Sequence, residues 1–542
     1  MTLLRIQGGT IYDPANGIEG EVRDLWVSDG KIVSAPTSPE VKPDRTLDAR
    51  GLVVMPGGVD MHCHIAGPKV NTARKMIPEE KRHSEPIRKT ALTRSGTVGS
   101  VPSTFATAYL YAGLGYTTAF DAAIPPLTAR HAHEEFRDTP LLDKGFYVMM
   151  GNNHFLMERI KAEEPQMVKN YVAWLLQATR GYACKLVNPG GVETWKQNGE
   201  RTSGLDQPVG HFDVTPRAII RELARAADAL ELPHPVHVHC NNLGLPGNYE
   251  TTLETMRALD GSRGHLTHIQ FHSYGGDADD QSTFCSRVPE LVDYVNNHGN
   301  LTVDVGQVMF GETTSMTGDG PLGHFLHKVT GNKWFSGDIE MEAGCGIVPI
   351  TYKNKSLVHA LQWAVGLEWY LLMEDPWRIA MSTDHPNGGS FLAYPEIIAL
   401  LMDARLREEM LAQVPGGLHS ICTLPELTRE YTLNEITIIT RAAPARMLGL
   451  KAKGHLGAGA DADITLYQPD DDKRRMFEFP RYVVCRGDII VDDGEIRQVT
   501  MGSIQSSMPD YDLDCRPYFK DWFEEHYTIA FDNFEISDEE PL

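Results

Sequence analysis

The chain has 542 residues, which exceeds one ordinary domain, and a formal net charge of −23. This acidic balance argues against nucleic acid or an anionic membrane as the main partner, although a local basic patch can still receive an anionic ligand. The 8 cysteines are scattered without a Cys-x-x-Cys pair. No apolar segment is long enough to span a bilayer, and the start lacks a signal-peptide pattern, so we expect a cytoplasmic protein.

Both ends of the chain predict β structure. Residues 1–55 contain short apolar runs separated by turn signals, the first of which is expected at Gly8-Gly9. Residues 451–500 have the same pattern, and neither part is large enough to be stable alone. We therefore predict a small composite β-sandwich built from 1–55 and 451–500, a barrel domain over 56–450, and an acidic, aromatic C-terminal tail over 501–542.

The middle of the chain alternates strand-like and helix-like segments. The predicted strands are 59–65, 117–122, 146–150, 182–187, 235–240, 266–271, 301–305 and 379–383. The predicted helices include 167–179, 216–230, 249–258 and 289–296. This order is typical of an α/β protein and fits either a (β/α)₈ TIM-like barrel or an open doubly wound sheet. The strand count and the ligand-type residues near strand ends favour the barrel.

A His-x-His pair, His62 and His64, closes the first of these strands. Side chains two residues apart on a strand project from the same face. Two imidazoles held side by side can bind one divalent metal ion. Because the chain has 21 histidines, the pair alone is only suggestive.

Lys185 lies inside the apolar run of the fourth predicted strand. A bare cation is costly there, so one interpretation is a buried lysine paired with a carboxylate. The other is an uncharged amine that adds carbon dioxide and forms a carbamate bridging two metal ions. Neighbouring cysteines at 63, 184 and 240 would face the other side of their strands, and we interpret them as small apolar residues.

Three later strands also bring ligand-type residues toward their C-terminal ends. His237 and His239 share a face of the fifth strand, and His239 is nearer its end. On the sixth strand His268 and His272 share a face, and we select His268 as the ligand. Asp384 follows the eighth strand. Active sites of barrels lie at this end, so these residues are expected to converge there.

The whole set resembles the amidohydrolase superfamily of dihydroorotases and hydantoinases. The similarity includes the flanking segments Gly51–Asp60, Ala443–Leu450 and Gly459–Asp463. More narrowly, His62–Gly67, Lys185–Gly191, His239–Gly244 and His268–Gly276 resemble the A-type subunits of formylmethanofuran dehydrogenase and their bacterial counterpart, the hydrolytic alpha subunit of the formyltransferase/hydrolase complex.

The resemblance implies a dinuclear Zn²⁺ site and carbon dioxide held as a carbamate on Lys185. The implied metal ligands are His62, His64, Lys185, His239, His268 and Asp384. Asp384 would also act as the catalytic proton carrier. Asn188, Asn241 and Cys345 are candidates for contacting substrate, and His272 is the alternative ligand on the sixth strand.

The implied substrate is an N-formyl amine on a methanofuran-like carrier, and the implied partners are other subunits of a formyltransferase/hydrolase complex. Alternatives are a hydantoinase- or dihydropyrimidinase-like cyclic amidase, the archaeal dehydrogenase subunit with a molybdenum or tungsten partner, and a non-catalytic scaffold on the same fold. The absence of cluster-type cysteine spacing indicates that this chain does not transfer electrons itself.

Two connections are longer than a barrel requires, and the tail is unusual in composition. The connection over 66–116 is basic and would suit the acidic tail of a carrier, and that over 310–376 is rich in glycine. Both either shape substrate access or make subunit contacts. The tail from Met508 either docks on a neighbour or is solvated.

Overall fold

The computed structural model describes residues 3–38, 40–199, 201, 204–339 and 343–537, without the side chains of 338–339 and 343–345. Numbered along this part of the chain, the strands are β1 Leu3–Asp13, β2 Ile18–Ser28, β3 Lys31–Val33, β4 Arg45–Asp48, β5 Val53–Pro56, β6 Gly58–Cys63, β7 Tyr116–Ile124, β8 Asp143–Met149, β9 Ala183–Val187, β10 Val236–His239, β11 Gly264–Leu266, β12 Tyr274–Asp277, β13 Asp280–Ser286, β14 Leu301–Asp304, β15 Gly311–Thr317, β16 Phe335–Ile339, β17 Ala343–Tyr352, β18 Ile379–Ala380, β19 Ile464–Tyr467, β20 Pro480–Cys485, β21 Asp488–Asp492 and β22 Glu495–Ile496.

The helices are α1 Pro68–Met76, α2 Thr104–Gly113, α3 Ala129–Arg137, α4 His154–Lys161, α5 Pro165–Thr179, α6 Gly191–Asn198, α7 Pro216–Ala229, α8 Tyr249–Ala258, α9 Val288–Asn297, α10 Gly320–Thr330, α11 Leu357–Leu372, α12 Tyr394–Met402, α13 Ala404–Leu411, α14 Leu433–Thr437, α15 Ala443–Met447, α16 Lys473–Glu478, α17 Arg516–His526 and α18 Phe531–Phe534. Several of them begin at a side chain that caps the first turn. For example, Thr215 accepts from the Ala218 amide at 3.2 Å, immediately before Pro216 opens α7. None of the described helices is long and apolar enough to cross a membrane.

A parallel barrel forms the centre of the molecule. Its strands follow the order β6-β7-β8-β9-β10-β11-β14-β18. The two edges meet where the His64 amide donates to the His385 carbonyl at 2.7 Å. Because helices cover the outside and side chains fill the inside, the strands are buried on both faces, and the inward faces of several of them carry polar side chains. The predicted (β/α)₈ barrel is confirmed, and Cys63, Cys184 and Cys240 are fully buried in its hydrophobic core.

A separate sheet joins the two ends of the chain, as predicted. Its order is β22-β21-β20-β19-β5-β1-β2-β3, with β4 also paired to β1, and β5 and β19 connect the N-terminal and C-terminal parts. The turn predicted at Gly8-Gly9 is wrong, because β1 continues through a bulge there. Gly8 has φ +69°, and a Cβ on Gly9 would lie 2.4 Å from Val54 Cγ2, so both glycines allow the bulge rather than end the strand. The domain boundaries remain a prediction.

The two long connections build a layer over one end of the barrel. The second one contains the small sheet β15-β17-β16 together with α10 and α11. The first contains α1, whose Val70 and Ala73 pack with Met316 and Ile347 of that sheet. The C-terminal tail folds back on the barrel exterior, where Phe531 stacks on Trp174 at 5.3 Å and Trp522 meets Phe155 edge-on at 5.2 Å.

Candidate metal centre

The His-x-His pair and Asp384 meet at the C-terminal end of the barrel. His62 Nε2 lies 2.9 Å and His64 Nε2 lies 3.1 Å from the same carboxylate oxygen, Asp384 Oδ1. All three side chains are buried. Two imidazole nitrogens and a carboxylate oxygen this close together form a donor set suited to a divalent cation.

Lys185 lies on β9 and faces the same cavity as this group. Its Nζ is buried and has no hydrogen-bond partner among the described residues. Burial lowers the pKa of Lys185 to about 7, and the nearby Asp304 and Asp384 only partly oppose this shift. The first interpretation from the sequence, a lysine paired with a carboxylate, is not what the described residues show. Lys185 lines the floor of the cavity above it.

His239, at the end of β10, lies beside a carboxylate that the sequence analysis did not identify. Its Nε2 is 3.2 Å from Asp319 Oδ2. Asn188 donates to Asp319 Oδ1 at 3.0 Å and accepts from Asn241 at 2.8 Å. Asn188 and Asn241 therefore support this carboxylate, and neither lines the main cavity. Asp319 belongs to the long second connection, where no strand pattern points to a site.

The sixth strand is shorter than predicted, because β11 ends at Leu266 and residues Ile269–His272 form a 3₁₀ helix. Ladder pairing stops there because Asp304 Oδ1 accepts from the His268 amide at 3.0 Å. His268 takes a left-handed φ of 36° instead of continuing the strand. Its ring lies 4.7 Å from that of His239 and 5.2 Å from that of His272. His268 lines the cavity and His272 does not, so the choice of His268 remains the better-supported prediction.

Two further carboxylates brace the site from below, each near the end of a predicted strand. Asp121 accepts from the amides of Ile65 and Ala66 at 2.7 and 2.9 Å. Burial would raise the pKa of Asp121, but His64, Lys69 and the Ala66 amide lower it to about 2. Asp304 accepts from the Ser382 and Thr267 hydroxyls at 2.6 and 2.5 Å. Inspecting every strand end for carboxylates would have identified both residues.

Left-handed backbone recurs among the site residues. Asn188 has φ 42°, His268 φ 36° and Asp384 φ 51°. Each lies just beyond the end of a barrel strand, where a non-glycine residue incurs a conformational penalty. Residues strained in this way cluster at functional sites, which agrees with the convergence of donors here.

A cavity of about 760 Å³ opens above the donors. The second long connection supplies much of its wall, including Leu322, Phe325, Ile350 and Tyr352, so this connection shapes access to the site. Asp384 is the only carboxylate among the described lining residues, and Lys185 and Lys353 are the lysines. The basic residues of the first connection are absent from this described lining. The side chain of Cys345 lies outside the described residues.

The comparisons with known proteins agree with this geometry. Residues 45–491 match the model of the amidohydrolase family. Protein FwdA of Methanocaldococcus jannaschii is 43% identical, over 98% of this chain and 96% of that protein. The A-type subunit of the formyltransferase/hydrolase complex Fhc of Methylorubrum extorquens is 37% identical, over 99% of this chain and 97% of that protein.

A solved structure is similar over the same extent. It is the crystal structure of the formyltransferase/hydrolase complex FhcABCD from Methylorubrum extorquens in complex with methylofuran. The TM-score is 0.93 at 36% identity, covering 99% of this chain and 97% of that chain. The family match spans most of the sequence, and the relatives cover nearly all of it. The chain therefore belongs to the amidohydrolase family, as its motifs indicated.

Proposed function

We propose that this protein hydrolyses an N-formyl amine on a methanofuran-type carrier to formate and the free amine, reversibly, as one component of a formyltransferase/hydrolase complex. The similarity to the Fhc protein of Methylorubrum extorquens and to a complex solved with methylofuran supports both the substrate and the partners. The single observation that carries the chemistry is Lys185, a buried amine that faces the histidines and Asp384 and has no hydrogen-bond partner among the described residues.

The residues present fit a dinuclear zinc site. His62, His64 and Asp384 would hold one ion, and His239 with His268 the other. His62 Nε2 and Lys185 Nζ are buried atoms without hydrogen-bond partners among the described residues. An uncharged Lys185 amine can add carbon dioxide with release of one proton, which creates a carbamate whose two oxygens would serve as a bridge. When bound, the zinc ions would supply water activation near neutral pH and polarisation of the formyl carbonyl.

The chain's own residues would move the proton. Asp384 Oδ1 lies at the floor of the cavity, where it would accept the proton of the attacking water. The same carboxyl group would then deliver that proton to the departing nitrogen, because an amine leaves poorly as an anion. In the metal-free protein, burial would raise the pKa of Asp384, but His268, His62 and His64 lower it well below its usual range, so it begins as the base.

The cavity wall supports a substrate with an apolar body. Phe271, Tyr274, Phe284, Leu322 and Phe325 line the passage between the donors and the surface. Cavities lined mainly by aromatic and aliphatic side chains, with polar groups among them, are typical of sites for small organic molecules. An aromatic carrier whose formamide reaches the floor would therefore remain in contact with apolar side chains along its length.

Metal analysis combined with an activity assay tests the proposal. We expect about two zinc ions per chain in active protein, formate release from the N-formyl carrier, loss of activity on chelation and recovery on adding Zn²⁺. Far less zinc in fully active protein would contradict the dinuclear site. Ring opening of a cyclic amide without formate release would instead favour the hydantoinase alternative, and a molybdenum or tungsten protein that co-purifies would indicate the dehydrogenase alternative.

A further inference from the structure

Three histidines form a continuous row beneath the floor of the site. His234 Nδ1 lies 2.8 Å from the Met447 carbonyl oxygen, and His234 Nε2 lies 2.9 Å from His237 Nδ1. His237 Nε2 lies 2.8 Å from His62 Nδ1. All three rings are fully buried. The row runs from α15 through the barrel interior to a proposed metal ligand.

The carbonyl at the start of the row fixes the direction of every hydrogen bond in it. A carbonyl only accepts, so His234 Nδ1 carries the hydrogen. An uncharged imidazole has one N–H, so His234 Nε2 must accept from His237 Nδ1. By the same step, His237 Nε2 accepts from His62 Nδ1, which leaves the lone pair of His62 on Nε2. That atom and Asp384 Oδ1 lie 2.9 Å apart, close enough for one cation to contact both.

The surroundings of the row agree with this assignment. Both rings are completely buried, and burial disfavours the charged form of an imidazole, which agrees with a single N–H on each of His234 and His237. The Thr267 hydroxyl donates to Asp304 Oδ2 at 2.5 Å, and it therefore accepts from His62 Nδ1. Tyr147 packs 4.5 Å from His237, which holds the middle ring in place.

We propose that His234 and His237 are positioning residues that fix the tautomer of His62, so that its Nε2 lone pair is presented to the metal. This inference rests on the proposed function, because it requires a metal at His62. Neither residue touches the reacting atoms. Partners that orient a metal-bound histidine in this way typically change metal affinity 10–100-fold, roughly, when they are removed. The row also links the metal centre to the Met447 carbonyl, at the end of α15.

A pair of substitutions at one position tests the proposal. His234→Phe keeps a ring but offers no acceptor to His237, so both tautomers of His237 become available. His234→Gln retains an amide oxygen that accepts and an amide nitrogen that donates. We expect His234→Phe to raise the zinc dissociation constant about 10–100-fold in chelator competition, and His234→Gln to restore much of the affinity. At saturating zinc, formate release by both variants should approach that of the unsubstituted protein.

His133→Phe is the matched control. His133 is also buried and donates Nε2 to a backbone carbonyl, that of Thr179 at 2.9 Å, but it lies outside the row. We expect this variant to bind zinc with unchanged affinity. If His234→Phe does not fold, His234→Leu carries the same expectation.

Three outcomes would overturn the proposal. One is zinc affinity in His234→Phe equal to that of the control, and another is equal loss in the Phe and Gln variants. The third is an additional metal ion held by His62, His237 and Asp304, whose donor atoms also lie close together. Metal analysis of the unsubstituted protein comes before any comparison of variants. If that protein contains no zinc, the proposed function itself is refuted.

Discussion

Two buried lysines in this molecule have opposite surroundings. Lys453 lies between the barrel and the terminal sheet, where its Nζ is 2.6 Å from Asp143, 2.7 Å from Asp463 and 3.1 Å from Asp461. Lys185 lies on the floor of the cavity, and its Nζ has no hydrogen-bond partner among the described residues. Both lysines are almost completely buried, so solvent does not account for the difference.

The pKa values of the two lysines are shifted in opposite directions. Burial alone would lower the pKa of Lys453, but Asp463 and Asp143 raise it above its ordinary value. Burial lowers the pKa of Lys185 to about 7, against weaker opposition from Asp304 and Asp384. Lys453 is a buried cation with carboxylate partners, and removing one member of such a group strongly destabilises a protein. A buried amine without partners contributes nothing comparable, so its position is better explained by chemistry at the site.

The largest effect is expected from Lys185→Ala. If the amine carries the bridging carbamate, its removal takes a shared ligand from both proposed ions, and kcat/KM for formate release should fall about 10⁴-fold. Thermal stability of the metal-free protein should not fall at neutral pH, because no hydrogen bond is lost and the cost of burying the amine is removed. Activity that survives this substitution would show that the bridge is unnecessary. Lys453→Met is the matched control, since any folded fraction of it should keep the zinc content of the original protein.

Lys453→Met should instead act on stability. It leaves Asp143 and Asp463 buried without their cation, which typically costs about 3–5 kcal/mol. Unpaired buried carboxylates favour their protonated form, so the variant should regain stability as pH falls. Denaturant unfolding at neutral and mildly acidic pH measures both effects. An unchanged unfolding midpoint at neutral pH would mean that these groups do not fasten the barrel to the sheet.

The two lysines should also give different slopes of stability against pH in the metal-free protein. Because the pKa of Lys185 is about 7 in the folded state and higher in the unfolded state, the unfolded chain binds the extra proton between those values. The free energy of unfolding should therefore rise by about 3 kcal/mol from pH 7 to about pH 9.5. Lys185→Met should lack this rise.

Lys453 has the opposite shift, so its contribution is complete below its unfolded pKa and is lost only at higher pH. Over the same pH range, the curves of Lys453→Met and the original protein should run parallel. A rise that persists in Lys185→Met would assign it to another titrating group.

The parts of the fold and the candidate site that could be predicted from the sequence are those determined by neighbouring residues in the chain. The His-x-His pair, Lys185 and His239 lie on or next to strands whose alternation fixes where their side chains point, and all four residues line one cavity. His268 illustrates the limit. Its backbone is turned by the hydrogen bond from its amide to Asp304, which lies on another strand, so no pattern within residues 266–271 reveals the early end of β11.

Asp319 and the row of histidines show the same limit at longer range. Asp319 meets His239 only because the second long connection folds over the barrel, and loop placement is not encoded in periodicity. His234 meets Met447 across 213 positions of sequence. The prediction of a turn at Gly8 and Gly9 fails for a different reason. Glycines are common in both turns and bulges, and only the packing against Val54 distinguishes the two here.

The smallest predicted effect concerns the partners of the carboxylates around Lys453. The Ser503 hydroxyl donates to Asp143 Oδ1 at 2.8 Å, and the Ser503 amide donates to the same oxygen. Ser503→Ala removes only the first of these bonds, while Lys453 continues to neutralise the carboxylate, so denaturant unfolding should show a loss of about 1 kcal/mol. Zinc content and formate release should not change. A loss as large as that of Lys453→Met would mean that hydrogen bonds stabilise the Asp143 carboxylate as much as the lysine does. The contrast between Lys453 and Lys185 would then depend on the number of polar contacts rather than on a paired cation.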